Sequence, residues 1–275
     1  MGSAYPCKKM TLSVSLLAFL TAAAVHARSP QVHRLEATPA TIVYGYYWSE
    51  APPALRIASG DVIDVDTLLT NTPEGLAKAG VSDDRIQTSL KEIVSQVTGD
   101  RRGPRGHILT GVAPAPEAGR VSSDPPGRHA GNLDNRELVV GSTLDIPVFA
   151  RGALFEVGDG HVAQGDGEVD QTAIETSLRA RLQLTVRKDM KLTWPRAKTP
   201  TDYISMATDP DLNVATRTAI QEMVDFLVTE KQLRRHEAYQ LVSIAGNVAI
   251  TMSTGPKGGP FQSLRAQTHA NHRRS

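Results

Sequence analysis

Residues 152 to 168 read Gly-Ala-Leu-Phe-Glu-Val-Gly-Asp-Gly-His-Val-Ala-Gln-Gly-Asp-Gly-Glu. This glycine-rich stretch holds four acids, a histidine, an amide and five glycines within seventeen residues. Repeated glycines let the backbone bend tightly, so that short polar side chains can converge on one point. The composition favours a metal-binding or hydrolytic site. The alternative is a loop whose polar groups only satisfy the backbone of tight turns.

Short runs in which apolar and polar residues alternate lie on both sides of the glycine-rich stretch. They fall at 41–45, 54–61, 62–69 and 137–149 before it and at 178–188 after it. Period-two alternation bounded by Gly and Asp predicts antiparallel strands.

Two segments have helical spacing instead. In residues 71–99 the apolar stripe consists of Ile86, Leu90, Ile93 and Val94. In the second segment it consists of Ile220, Met223, Val224, Leu227 and Val228. Both stripes predict amphipathic helices, with Ser82 as the N-cap of the first and Asp211 or Asn213 as the N-cap of the second.

Residues 1–27 have the features of a cleaved secretory signal. Two lysines precede an apolar run from Leu12 to Val25, and small residues follow at the cleavage position. The alternative is a membrane anchor, although the run is shorter than the roughly 20 residues that span a bilayer. We therefore predict an exported protein, periplasmic or secreted, with no membrane contact after signal cleavage.

Removal of this signal would leave residues 28–275 as one domain of nearly neutral charge. The only cysteine, Cys7, would be lost, which excludes disulfides and cysteine nucleophiles. Loss of two lysines would leave 28 basic side chains against 29 acidic ones. Without a basic surplus we expect no nucleic-acid partner.

Two further polar segments accompany the glycine-rich stretch, one at 106–111 and one at 131–137. A catalytic zinc ion takes three ligands of the His, Asp and Glu type and leaves one position for water. His107, Asp134 and His161 would form such a set, and Glu168 or Asp159 could act as the base. The other histidines considered, His33, His129 and His236, are expected at the surface. No HExxH, CxxC, Gly-x-Ser-x-Gly or P-loop motif occurs.

Several motifs, taken in order, resemble the acetamidase/formamidase family over most of the predicted mature chain. They include Gly-His-Ile-Leu-Thr-Gly at 106–111, Gly-Asn-Leu-Asp-Asn at 131–135, Pro-Val-Phe at 147–149 and the whole glycine-rich stretch. Earlier and later pieces are His-Arg-Leu-Glu-Ala-Thr-Pro at 33–39, Pro-Ala-Leu-Arg-Ile-Ala-Ser-Gly-Asp at 53–61 and Asp-Met-Lys-Leu-Thr-Trp-Pro at 189–195.

The resemblance implies an α+β, mainly β fold, a β-sandwich with peripheral helices, assembled as a homo-oligomer. It also implies metal-dependent hydrolysis of short amides such as formamide or acetamide, with zinc, or alternatively calcium, as the divalent metal. The family's polar motif positions fall on His107, Asp134, Asp159, His161, Gln164 and Glu168 of this chain, and the resemblance leaves open which of them are metal ligands. Gln164 and Asn132 would hold the substrate, and Glu168 would move the proton from water to the leaving amine.

The chain departs from the family pattern between Gly111 and Val112, where a strand and a sizeable insert are missing. Lost strands would leave backbone groups unpaired or apolar faces exposed. Three explanations remain open. The loss destroys stability or activity, the chain is a shortened relative whose oligomer covers the exposed edge, or the sequence joins two similar turns artificially. The alternative function is therefore a catalytically degenerate secreted relative that acts as a binding or assembly module. Hydrolysis of a larger carboxamide is a third reading.

Overall fold

The computed structural model describes residues 28–99, 110–170 and 172–252, together with the backbone of 262–269. The described residues from Gln31 onward belong to one compact unit. The predicted signal segment and the predicted ligand His107 lie outside the described residues. Among the helices that are described, none is both long and apolar enough to cross a membrane.

Twelve strands and four helices make up the described part of the chain, which confirms the predicted α+β class. The strands are β1 (Val32–Leu35), β2 (Tyr46–Trp48), β3 (Val62–Asp66), β4 (Arg120–Ser122), β5 (Thr143–Asp145), β6 (Gly160–Ala163), β7 (Ile174–Thr176), β8 (Arg179–Gln183), β9 (Arg196–Lys198), β10 (Asp202–Asp209), β11 (Gly246–Met252) and β12 (Gln262–His269). The helices are α1 (Pro73–Lys78), α2 (Thr88–Gln96), α3 (Leu212–Lys231) and α4 (Arg235–Ala245).

The strand predicted from residue 62 onward forms β3, the centre of a three-stranded sheet in the order β1-β3-β8. Ile63 and Val65 are buried, whereas Asp64 and Asp66 face outward and pair with arginines of β8. This is the alternation that a half-buried strand requires. The pairing differs in part from the expected antiparallel arrangement, because β1 runs parallel to β3.

The strand predicted at 54–61 does not form. Here Asp61, which is buried, accepts hydrogen bonds from the backbone amides of Ala58 (3.1 Å) and Gln31 (2.9 Å). Backbone donors satisfied by a side chain need no neighbouring strand. The prediction at 137–149 was correct only for the three residues of β5.

The largest sheet has the order β11-β12-β10-β9-β5, and α3 packs against it. The predicted stripe of α3 is confirmed, since Met223, Val224 and Leu227 are buried while Ile220 and Val228 pack against them. Asp211 is the N-cap, and its side chain accepts a hydrogen bond from the Asn213 amide at 2.8 Å.

The first predicted helical stripe is also confirmed, because α2 buries Leu90 and Ile93. The predicted cap Ser82 instead precedes a short 3-10 turn at Asp83–Arg85 and makes no side-chain cap bond.

The junction at Gly111 and Val112 is hydrogen-bonded on both sides. Gly111 exchanges two backbone hydrogen bonds with Glu156, at 3.1 and 2.9 Å, and the Val112 amide donates to the His129 carbonyl at 3.0 Å. The Gly131 amide donates to the Thr110 carbonyl at 3.0 Å. The junction residues Gly111 and Val112 therefore both make backbone hydrogen bonds. These bonds hold the segment before Asp134 next to the glycine-rich stretch.

Candidate functional site

The glycine-rich stretch contains the short strand β6, which pairs with β7 so that His161 lies opposite Glu175. Gly160, next to the histidine, has no room for a side chain. A Cβ there would lie 2.9 Å from the Thr176 carbonyl oxygen and 2.6 Å from the Leu178 side chain. This glycine lets the two strands approach closely and brings the histidine against the glutamate.

Four carboxylates surround the His161 ring and form with it an acidic cluster of two overlapping groups. Asp134, His161 and Glu168 form one group, and Asp159, His161 and Glu175 form the other. Within each group the potential ligand atoms all lie within 4.8 Å of one another. Nε2 of His161 lies 3.3 Å from Oε2 of Glu175 and 3.6 Å from Oδ2 of Asp159.

Three polar atoms of this acidic cluster are buried without a hydrogen bond. They are Oδ2 of Asp134, Nε2 of His161 and Oε2 of Glu175. Buried polar atoms are normally satisfied, so three orphans in one cluster need an explanation. Each of the two groups offers a divalent cation one imidazole and two carboxylates, which is a suitable donor set for it.

The backbone of the acidic cluster is strained. Asp134, Asp159 and Glu168 have φ angles of 43°, 59° and 37°, in the left-handed region that residues other than glycine seldom adopt. Each such residue costs roughly 1–3 kcal/mol, and strain of this kind concentrates at functional sites. The surrounding contacts must therefore hold the three acids in place.

Burial and mutual repulsion make ionisation of the acids unfavourable. The pKa of Asp134 lies well above its usual value because its carboxyl is desolvated and faces Glu168. Burial also raises the pKa of Glu168, although Asp134 and His161 partly oppose that shift. Burial alone would lower the pKa of His161, but the carboxylates of Asp159 and Glu175 outweigh it and raise the pKa to about 11. The excess negative charge thus attracts a positive partner, either a proton or a metal ion.

Hydrogen bonds from two surrounding segments hold the acidic cluster. The Thr70 hydroxyl donates to Oδ1 of Asp159 at 2.7 Å. On β11, the buried Thr251 donates from its hydroxyl to the Leu133 carbonyl at 2.6 Å, and its own carbonyl accepts from the Gly167 amide at 3.1 Å. Thr251 therefore contacts the residue before Asp134 and the residue before Glu168.

A second buried polar group lies beside this cluster. The Tyr47 hydroxyl is buried without a hydrogen bond, and its ring contacts His129 edge to face at 5.0 Å. Burial, together with the charges of Glu156 and Asp159, keeps the pKa of Tyr47 well above its usual value. The surface prediction for His129 was wrong: the residue is buried, which lowers its pKa to about 4. Packing against Tyr47 explains the burial, and no sequence motif indicates it.

The structure brings Asp134, Asp159, His161 and Glu168 together, as the sequence predicts for one site. The sequence alone assigns no role to Glu175, and no sequence signal points to Thr251. Only the β6–β7 register places Glu175 opposite the histidine.

The two residues predicted to bind substrate use their amide groups inside the protein. The Asn132 side-chain nitrogen donates to the Asp124 carbonyl at 2.9 Å. The Gln164 side-chain nitrogen donates to the Asp134 carbonyl at 2.5 Å, and its oxygen lies 2.9 Å from Nδ1 of His161.

Comparison with known proteins gives consistent results. The model of the Acetamidase/Formamidase family matches residues 109–253. An acetamidase of Mycolicibacterium smegmatis is 44% identical over 46 residues, and a formamidase of Methylophilus methylotrophus is 42% identical over 45 residues. These stretches cover 17% and 16% of this chain and 11% of the length of each curated relative.

Solved structures extend the likeness to nearly the whole fold. A predicted acetamidase/formamidase from the thermophile Thermoanaerobacter tengcongensis has a TM-score of 0.68 at 21% identity, covering 88% of this chain and 96% of its own. Acetamidase from Yersinia enterocolitica has a TM-score of 0.69 at 21% identity, with coverages of 88% and 93%. At this identity the structures establish the fold, and the family match spans more than half of the sequence. The chain therefore belongs to the acetamidase/formamidase family.

Proposed function

We propose that this chain is a metal-dependent amidohydrolase that converts short linear amides, such as formamide and acetamide, to the carboxylate and ammonia. The observation that carries the proposal is the acidic cluster, in which three buried polar atoms have no hydrogen bond. Membership of a family that includes proteins named acetamidase and formamidase supports the amide substrate.

In this proposal Asp134, His161 and Glu168 hold the cation, since their ligand atoms lie within 4.8 Å of one another. One imidazole with carboxylates suits zinc, and the predominance of oxygen ligands keeps calcium as the alternative. When bound, such a cation supplies Lewis acidity toward an amide carbonyl and toward water.

Hydrolysis also needs a group that takes one proton from the attacking water and passes it to the leaving nitrogen. The sequence assigns this role to Glu168 or Asp159, but the geometry favours Glu175. Its Oε1 is held by the Ala173 amide (3.2 Å) and lies 3.3 Å from the Thr172 hydroxyl, whereas its Oε2 faces the cluster without a hydrogen bond. A carboxylate with one oxygen held by its own segment and the other facing the cluster, 3.3 Å from Nε2 of His161, is well placed to carry a proton.

The test measures metal content and ammonia release on the same preparations. We expect the purified chain to bind a divalent metal and to release ammonia from formamide, acetamide or propionamide. Glu175→Gln should keep the metal but lose roughly 100-fold or more in kcat, the typical contribution of a general acid–base group. Asp134→Asn should lose the metal itself. Asp170→Asn, which changes an exposed acid just after the glycine-rich stretch, should resemble the wild-type chain.

Full turnover by Glu175→Gln would show that another residue carries the proton. Bound metal without ammonia from any amide, including larger carboxamides, would favour the degenerate binding or assembly module. Export and homo-oligomeric assembly stay predictions from the sequence.

A further inference from the structure

The orientation of the Gln164 side chain follows from its partners. Its Nε2 atom faces two backbone carbonyl oxygens, those of Asp134 at 2.5 Å and Thr251 at 3.4 Å. Carbonyl oxygens only accept hydrogen bonds, so the amide nitrogen must be the atom that faces them. The amide oxygen is then the atom 2.9 Å from Nδ1 of His161.

This orientation determines which nitrogen of the histidine carries a proton. An amide oxygen only accepts, so Nδ1 of His161 must be the N–H that donates to it. In the neutral ring Nε2 then presents its lone pair, and Nε2 is the atom that faces the carboxylates of Asp159 and Glu175. A lone pair directed at two carboxylates is unfavourable unless a proton or a metal cation lies between them.

We propose that Gln164 is a positioning residue that keeps the proton of His161 on Nδ1 and thereby reserves Nε2 for the metal ion. The inference rests on the cation site of the proposed function and gives Gln164 a role other than substrate binding. The same side chain links two proposed ligands, because it joins the ring of His161 to the backbone of Asp134. A residue that hydrogen-bonds to a metal-ligating histidine in this way fixes both the tautomer and the orientation of the ring.

Two substitutions separate the functions of the two ends of the amide. Gln164→Leu removes both the acceptor for Nδ1 and the donor to Asp134. Gln164→Glu keeps an acceptor for Nδ1, loses the donor to Asp134 and adds a negative charge. Gln221→Leu is the matched control, since it changes an exposed glutamine of α3, a helix that contributes nothing to the cluster.

The first readout is the affinity of the full chain for Zn²⁺, measured by competition with a chromogenic chelator. We expect Gln164→Leu to weaken binding about 10- to 100-fold, the typical loss for such a partner. Gln164→Glu should recover most of that affinity, and Gln221→Leu should bind as the wild-type chain does. Equal zinc affinity in the wild-type chain and in Gln164→Leu would overturn the proposal.

The second readout is long-range ¹H–¹⁵N NMR of ¹⁵N-histidine-labelled protein, with His161 assigned from its loss in His161→Gln. We expect zinc on Nε2 and a slowly exchanging proton on Nδ1 in the wild-type chain and in Gln164→Glu, with faster exchange in Gln164→Leu. Zinc on Nδ1 would overturn the proposal. Neither readout uses amide turnover. A chain that binds zinc in this pattern and releases no ammonia would therefore refute the proposed function and leave the role of Gln164 intact.

Discussion

Thr251→Val tests whether one buried hydroxyl holds the acidic cluster. The Thr251 side chain is fully buried, and its hydroxyl donates to the carbonyl of Leu133, the residue before Asp134. Valine has nearly the same shape but cannot donate, so the carbonyl would lose this buried partner. Such a loss costs about 1–3 kcal/mol. For a chain of this size it corresponds to a fall in Tm of roughly 2–12 °C.

The matched control is Thr251→Ser, which keeps the hydroxyl and removes only a methyl group, at a cost of about 1 kcal/mol. Thermal unfolding of the three metal-free proteins gives the stability ranking. We expect the valine variant to melt lowest and also to bind Zn²⁺ more weakly, because Asp134 is no longer held. A serine variant that melts below the valine variant would refute the reasoning, since the methyl group would then matter more than the hydrogen bond.

Two further substitutions test the surrounding fold by thermal unfolding. Gly111→Ala should destabilise the protein by about 1–3 kcal/mol, because the new Cβ would lie only 2.7 Å from the His129 carbonyl oxygen. Gly165→Ala has open space and should be close to neutral, so equal melting of the two variants would contradict the packing argument. Asp211→Ala should cost about 0.5–2 kcal/mol through loss of the α3 N-cap on the Asn213 amide, and an unchanged Tm would show that this cap contributes nothing.

Local sequence signals predicted the helices that have a clear apolar stripe and a capping residue. The stripe and cap of α3 lie close together in sequence, so periodicity and the position of Asp211 were enough. By contrast α4 was not predicted. It buries Ala238 and Val242 but exposes Tyr239 and Ile244, which blurs its periodicity.

The composition of the glycine-rich stretch located the candidate site but could not define its members. The strand pairing that sets Glu175 opposite His161 depends on a register with a bulge after the histidine. Contacts between segments distant in sequence, such as Thr251 with Leu133, exist only after the large sheet has formed. A residue whose role depends on such a contact leaves no local pattern in a single sequence.

The strained backbone of the acidic cluster links its stability to its chemistry. Three acids with positive φ are held close together, so the metal-free site combines conformational strain with charge repulsion. Both oppose folding, and the hydrogen bonds of Thr251 and Gln164 hold the cluster together against them. A cation that binds the folded chain and not the unfolded one would recover this free energy as added stability. The same features that make the cluster costly to fold therefore make it a strong binding site for a metal ion.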